Sequence, residues 1–190
     1  MIKIGITGSL ASGKSTVVTL MSKNKYSIFS ADKEVRKLYK EQKIVKRLKT
    51  IFKITSNSNS NIKKKIKRAI GLSHKNLRKL EIFLHPEVRK RMKSFIKKRK
   101  NKKILLFEIP LLFESKLQRE FDVIIFVNAN KKIRVIRFKK RGGKGELFTI
   151  LDKRQNKASV KIKLSNHTIH NNTSLKNLKK NATVLINKYE

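Results

Sequence analysis

The chain is 190 residues long, with 50 Lys and Arg against 12 Asp and Glu, a formal net charge of +38. That length suits one domain with room for an inserted subdomain, and its 38% hydrophobic residues fall in periodic runs that can build a core. The absence of cysteine excludes a disulfide scaffold, thiolate metal ligands and a cysteine nucleophile, and no apolar run reaches the ~18 residues that span a bilayer. The expectation is a soluble, cytoplasmic chain that does not engage a membrane.

Residues 2–7, with Ile2, Ile4 and Ile6 alternating against Lys3 and Gly5, read as a strand that runs into a Gly-rich turn. A helix over 14–23 follows, with Val17, Val18, Leu20 and Met21 as its buried side. Tyr26–Phe29 reads as a second strand closing at Ser30-Ala31-Asp32. From Val35 the apolar positions Leu38, Tyr39, Val45, Leu48 and Phe52 are helical in period, and the polar run Thr55–Asn61 is a loop. Basic helices come next. One is expected to begin near His85-Pro86, where a first-turn proline is tolerated, with Leu84, Val88, Met92 and Ile96 recurring every four residues.

Ile104–Phe107 and Val123–Val127 are continuous apolar runs of strand length, the pattern of strands covered on both faces. Ile133–Arg141 reads as helix, Gly142–Gly145 as a break, and Glu146–Arg154 as helix again. His167–His170 is a short last strand, and Leu175, Leu178, Ala182 and Leu185 line one stripe of a terminal helix. This order predicts an α/β fold with a parallel sheet and helices on both faces. The core would span about 1–33, 101–130 and 160–190, with a helical insertion over about 34–100.

The most specific local signal is Gly8-Ser9-Leu10-Ala11-Ser12-Gly13-Lys14-Ser15, followed by Thr16. It matches G-x-x-x-x-G-K-[ST] in full, between an apolar strand and an amphipathic helix. Gly8 and Gly13 permit backbone angles that turn successive N–H groups inward as an anion nest. The loop delivers phosphates to a helix N-terminus, where unpaired N–H groups and the helix dipole favour negative charge. Lys14 can reach the β/γ-phosphates, and the Ser15 hydroxyl can ligate a bridging Mg²⁺. The chain is therefore expected to bind ATP with Mg²⁺. Asp32, at the end of the second strand, has two readings: a carboxylate that orients or deprotonates an attacking hydroxyl, and a cap for the helix that starts at Lys33. Glu108, closing its strand, is poised near the metal or is structural.

The chain resembles the dephospho-CoA kinases. Ile4-Gly5-Ile6-Thr7-Gly8 leads into the phosphate loop as in that family, and Ser30-Ala31-Asp32 stands where the family has Asp-Ala-Asp. Leu84-His85-Pro86 with Val88-Arg89 is similar to its L-H-P element, and Ile109-Pro110-Leu111-Leu112-Phe113-Glu114 to its P-L-L-F-E motif. Arg137 and Arg141 resemble its paired lid arginines, Gln155 the glutamine that follows, and Ile169 to Asn171 its late I-x-N.

The resemblance implies a P-loop kinase fold with a helical acceptor-binding insertion and a lid over about 131–155. It implies phosphoryl transfer from ATP to the 3′-hydroxyl of dephospho-CoA, the last step in making coenzyme A. Lys14, Asp32, Arg137 and Arg141 become the candidate catalytic residues. Gly8, Ala11, Ser12, Gly13, Lys14, Ser15, Thr16 and Asn171 become candidate nucleotide contacts, with Ser15 also the Mg²⁺ ligand. Dephospho-CoA is the expected partner; the oligomeric state is left open, a monomer included.

Two positions and one stretch depart from the family pattern. Ser30 replaces an acidic residue, Asn166 stands where the family has Asp, and the stretch between about 50 and 80 lacks the family's Arg-bearing segment. Another small P-loop kinase, with a nucleoside monophosphate or sugar-like acceptor, is the alternative that acceptor profiling separates. A basic nucleic-acid-binding P-loop protein is a further one. Against it, the basic blocks Lys63–Arg68, Arg89–Lys103 and Lys131–Lys144 are Lys-rich and spread along the chain, and only 7% of residues are aromatic for base stacking. No specific nucleic acid is expected.

Overall fold

The computed structural model describes residues 1–54, 65–66 and 74–190. In chain order its elements are β1 (Ile2–Gly8), α1 (Lys14–Ser22), β2 (Ser27–Ser30), α2 (Ala31–Leu38), α3 (Gln42–Ile51) and α4 (His74–Lys97). There follow β3 (Ile104–Glu108), a 3₁₀ turn (Gln118–Glu120), β4 (Val123–Asn128), α5 (Lys131–Lys140) and α6 (Gly145–Lys153). The chain closes with α7 (Ala158–Lys163), β5 (His167–His170) and α8 (Leu175–Asn187). The loop expected at Thr55–Asn61 lies outside the described residues, as does most of the basic block Lys63–Arg68.

Two compact units are present: Met1–Ser30 with Arg99–Glu190, and Ala31–Lys98. The first is built on a five-stranded sheet ordered β2-β3-β1-β4-β5, in which every pairing is parallel. One face carries Ile4, Ile6, Ile104, Leu106, Ile125 and Ile169, packed against Val17, Val18 and Met21 of α1 and Leu178, Ala182 and Ile186 of α8. Burying each such aliphatic side chain stabilises by roughly 1.5–3 kcal/mol, so this layer is the main hold on the unit. The other face is closed more tightly. A Cβ placed on Gly5 would lie 2.8 Å from the Phe121 ring and 2.9 Å from Leu112, so β1 needs glycine there. Phe121 in turn packs on Phe107, with ring centroids 5.3 Å apart. Leu112 and Phe113 are buried, so these two residues of the P-L-L-F-E segment are core side chains.

The second unit is helical. Leu38, Ile44, Val45, Leu48, Ile66, Leu80 and Leu84 form its core. Here the helical periodicity from Val35 to Phe52 resolves into two helices, α2 and α3. The helix expected to start at His85-Pro86 starts instead at His74 and carries Pro86 in its interior. Leu80 and Leu84 before the proline and Met92 beyond it are all buried, and this stripe draws the helix through. Proline forfeits the hydrogen bond to the carbonyl four residues back, that of Ile82, a residue on the solvent side of the helix and 65% exposed. In the first unit two smaller expectations also shift. Gly145 opens α6 instead of closing the break before it, and Leu175 is exposed because it precedes the stripe of α8 that meets the sheet.

Candidate active site

β1 lies between β3 and β4, so the loop that leaves its C-terminal end emerges where the strand order changes direction, the place where open α/β sheets bind ligands. Gly8 ends the strand and Lys14 begins α1. Between them Ser12 N–H donates to the Ser9 carbonyl at 3.1 Å, and Ala11 (φ 58°) and Gly13 (φ 97°) adopt left-handed angles. Such alternations are the backbone geometry that can present N–H groups to an anion. Gly13 is the N-cap of α1 and no side chain caps that helix, whose first turn also holds no acidic residue. A Cβ on Gly13 would lie 2.3 Å from Asn171 Nδ2, so the cradle closes only around glycine. The Lys14 stem lies along Gly8, where an added Cβ would come within 2.8 Å of Lys14 Cγ. Ser12 Oγ is buried with no hydrogen-bond partner among the described residues. An uncapped helix N-terminus, a glycine-only cradle and an orphaned hydroxyl all fit a bound phosphate chain.

Ser15, in the first turn of α1, donates its hydroxyl to Glu108 Oε1 at 2.5 Å. Glu108 ends β3 in register with Ser30 of β2, and Ser30 donates to the other oxygen, Oε2, at 2.8 Å. Glu108 is buried, so its carboxylate depends on these donors for solvation. A hydroxyl and a carboxylate oxygen side by side are hard donors of the kind Mg²⁺ takes.

The opposite flank comes from β5 and α5. Asn171, just past β5, donates Nδ2 to the Ser12 carbonyl at 2.8 Å. Arg137 Nη1 reaches the Asn171 carbonyl at 3.1 Å and the Ser12 carbonyl at 3.4 Å, and Nη2 reaches Asn171 Oδ1 at 3.3 Å. Gly13, Thr16, Arg137, Arg141, Asn171 and Leu178 line a cavity of about 150 Å³ beside the loop. Of the residues singled out in the sequence, Gly8, Ala11, Ser12, Gly13, Lys14, Ser15, Thr16, Arg137, Arg141 and Asn171 thus fall within one region of the first unit. Asp32 sits in the first turn of α2, the opening helix of the second unit and two residues beyond Ser30.

Sequence reading missed two buried ionic groups. Arg134 of α5 pairs with Asp152 of α6 at 2.6 Å, and its guanidinium lies 5.4 Å from the Phe148 ring centroid. Lys161 of α7 meets Glu114 at 2.8 Å. Nothing in the run Lys131–Lys140 marks Arg134 out, apart from its place one turn before Arg137 on the same helix side.

Comparison with known proteins gives a consistent picture. A family model for dephospho-CoA kinase matches residues 2–177. The dephospho-CoA kinase of Fusobacterium nucleatum is 30% identical over 178 residues, 92% of each chain. That of Rickettsia typhi is 30% identical over 191 aligned residues, covering 100% of this chain and 98% of the relative. A crystal structure from Thermus thermophilus superposes with a TM-score of 0.83 at 26% identity, over 98% of this chain and 97% of that one. Shikimate kinase from Acinetobacter baumannii, at 12% identity and a TM-score of 0.57 over 99% of this chain and 90% of its own, shares the fold.

Proposed function

The chain belongs to the dephospho-CoA kinase family, and from that premise we propose that its phosphate loop, Asp32 and two arginines carry phosphoryl transfer from ATP to the 3′-hydroxyl of dephospho-CoA. The observation that supports this best is the loop Gly8–Ser15 itself, with Ser15 on Glu108 and the Ser12 carbonyl gripped by Asn171 and Arg137. Lys14 and the α1 N-terminus hold the β- and γ-phosphates. Ser15, with Glu108 behind it, would hold Mg²⁺, which would supply positive charge against the phosphates. Asp32 orients the acceptor hydroxyl and takes its proton as the new O–P bond forms and the bond to the β,γ-bridging oxygen breaks, leaving ADP. Arg137 and Arg141 stabilise the charge spread over the transferring group.

Among the described residues no helix is long and apolar enough to cross a membrane. That is compatible with work in the cytoplasm, where both substrates would be met.

The test is a coupled assay with ATP, Mg²⁺ and dephospho-CoA, following ADP and coenzyme A, with AMP as the control acceptor. Turnover specific to dephospho-CoA is expected, and ADP release only with another acceptor would overturn the substrate. Lys14→Ala should nearly abolish turnover in a folded protein. Asp32→Asn should lower kcat by roughly 10²–10⁴ with ATP binding kept; unchanged kcat would leave Asp32 as a helix-terminal carboxylate alone.

A further inference from the structure

The apex of the phosphate loop is held from outside, at both faces of one residue. Leu10 N–H donates to Gln155 Oε1 at 2.8 Å, and the Leu10 carbonyl accepts from Arg134 Nη1 at 3.4 Å. Neither holder is loosely placed. Arg134 is buried, its Nε donates to the Ala129 carbonyl at 3.1 Å, and Asp152 Oδ1 takes Nη1 at 2.6 Å. Gln155 follows α6 after one intervening residue, and its own N–H is bonded to the Asp152 carbonyl at 3.1 Å.

The residue that needs holding is the next one. Ala11 has φ 58°, a left-handed angle that a Cβ disfavours by about tenfold or more. Such an angle persists only where its surroundings over-determine it. The Leu10 bonds fix the peptides on both sides of Leu10, one of which is the peptide leading into Ala11. On the far side, the Ser12 carbonyl is held by Asn171 and Arg137. Two carbonyls of the loop are thus held by arginines one turn apart on α5, while Leu10 N–H is taken by Gln155 and Ser12 N–H by the Ser9 carbonyl.

We propose that Gln155 and Arg134 are positioning residues for the phosphate loop: by holding both peptides of Leu10 they keep Ala11 at the left-handed, anion-binding angle it would otherwise leave. They act through the loop backbone and need not touch the nucleotide. The inference rests on the reading of Gly8–Ser15 as the ATP phosphate loop.

The test is direct binding of ATP and of inorganic tripolyphosphate, by calorimetry without acceptor, to the full chain and to Gln155→Met, Ala11→Gly and the double variant. Gln155→Met removes the acceptor at similar volume and should weaken both ligands about tenfold, with the apparent KM for dephospho-CoA unchanged. In the Ala11→Gly background the same change should cost less than about threefold, because glycine adopts a positive φ without penalty. A merely structural role for Gln155 would lower the melting temperature and give the same loss in both backgrounds. Gln155→Asn withdraws the acceptor by one methylene with the amide kept. It must repeat the pattern, and it carries the test if Gln155→Met does not fold. Parent-like tripolyphosphate binding by the folded variants, or equal losses in both backgrounds, would overturn the proposal. Failure of the parent chain to bind ATP or tripolyphosphate would overturn the phosphate-loop reading itself, and this inference with it.

Discussion

Lys161→Met offers the sharpest test of how the first unit is held. Lys161 is wholly buried on the six-residue α7 and meets Glu114, whose side chain is 15% exposed, at 2.8 Å. Glu114 Oε1 also accepts the Asn156 N–H at 2.9 Å; its Oε2, like Lys161 Nζ, is buried with no hydrogen-bond partner among the described residues, so the Lys161 contact is an ion pair outside hydrogen-bond geometry. Removing the ammonium therefore strands a carboxylate that already lacks a donor on one oxygen. Breaking a buried pair in this way costs about 3–5 kcal/mol. For a chain of this size each kcal/mol lowers the melting temperature by roughly 2–4 °C, so a fall of about 6–20 °C is expected.

Differential scanning calorimetry at neutral pH would read that fall. The double variant Lys161→Met with Glu114→Leu removes both charges and should recover much of the loss, since apolar replacement of a whole buried pair is often neutral. A Lys161→Met protein that melts within about 2 °C of the parent, or a double variant that loses the sum of the two single changes, would refute the reasoning.

Gly13→Ala should weaken ATP binding by at least about tenfold, because the new methyl must coexist with a φ of 97° and displace Asn171 Nδ2 from 2.3 Å; a change under twofold in a binding titration would contradict this. Stability should fall with acid below about pH 6.5. Burial, with Arg89 adding and Glu81 opposing, lowers the pKa of His85, and burial with Lys188 lowers that of His167. Each takes up its proton at lower pH in the folded chain than in the unfolded one, so their contribution is whole above the ordinary histidine value and is lost as pH falls through the lowered one. His85→Asn should flatten the melting-temperature profile between pH 7 and 5, and an unchanged slope would remove His85 from the account.

What the sequence made legible was what is local. The phosphate loop needs eight consecutive residues and a strand before it, and Gly8–Ser15 supplies them next to β1. The strands β3 and β4 could be read because parallel strands covered on both faces are continuously apolar, with no alternation to decode. Arg134 could not. Its burial depends on Asp152, 18 residues later, and on Leu10, 124 residues earlier, while in sequence it is one more cation in a basic helix. Lys161 was hidden in the same way, on a helix too short to show a period. Pro86 misled for a related reason, since its local preference for a helix start was overruled by packing of Leu80, Leu84 and Met92 along one continuous stripe.

Ser30 is a departure from the family pattern that is best read together with the residue beside it. Read alone, it removes a carboxylate from the sheet edge. In the fold it pairs in register with Glu108 across β2 and β3, and its hydroxyl donates to Glu108 Oε2 at 2.8 Å while Ser15 takes Oε1. The edge already holds one buried carboxylate with a donor on each oxygen. A second carboxylate at position 30 would face the first at close range, where like charges about 4 Å apart repel by about 4 kcal/mol even at an effective dielectric of 20. A neutral hydroxyl avoids that repulsion and gives Glu108 Oε2 a donor. Residues 30 and 108 therefore have to be read as a pair, and the pair is internally consistent: one charge, shared by the strand edge and the loop serine.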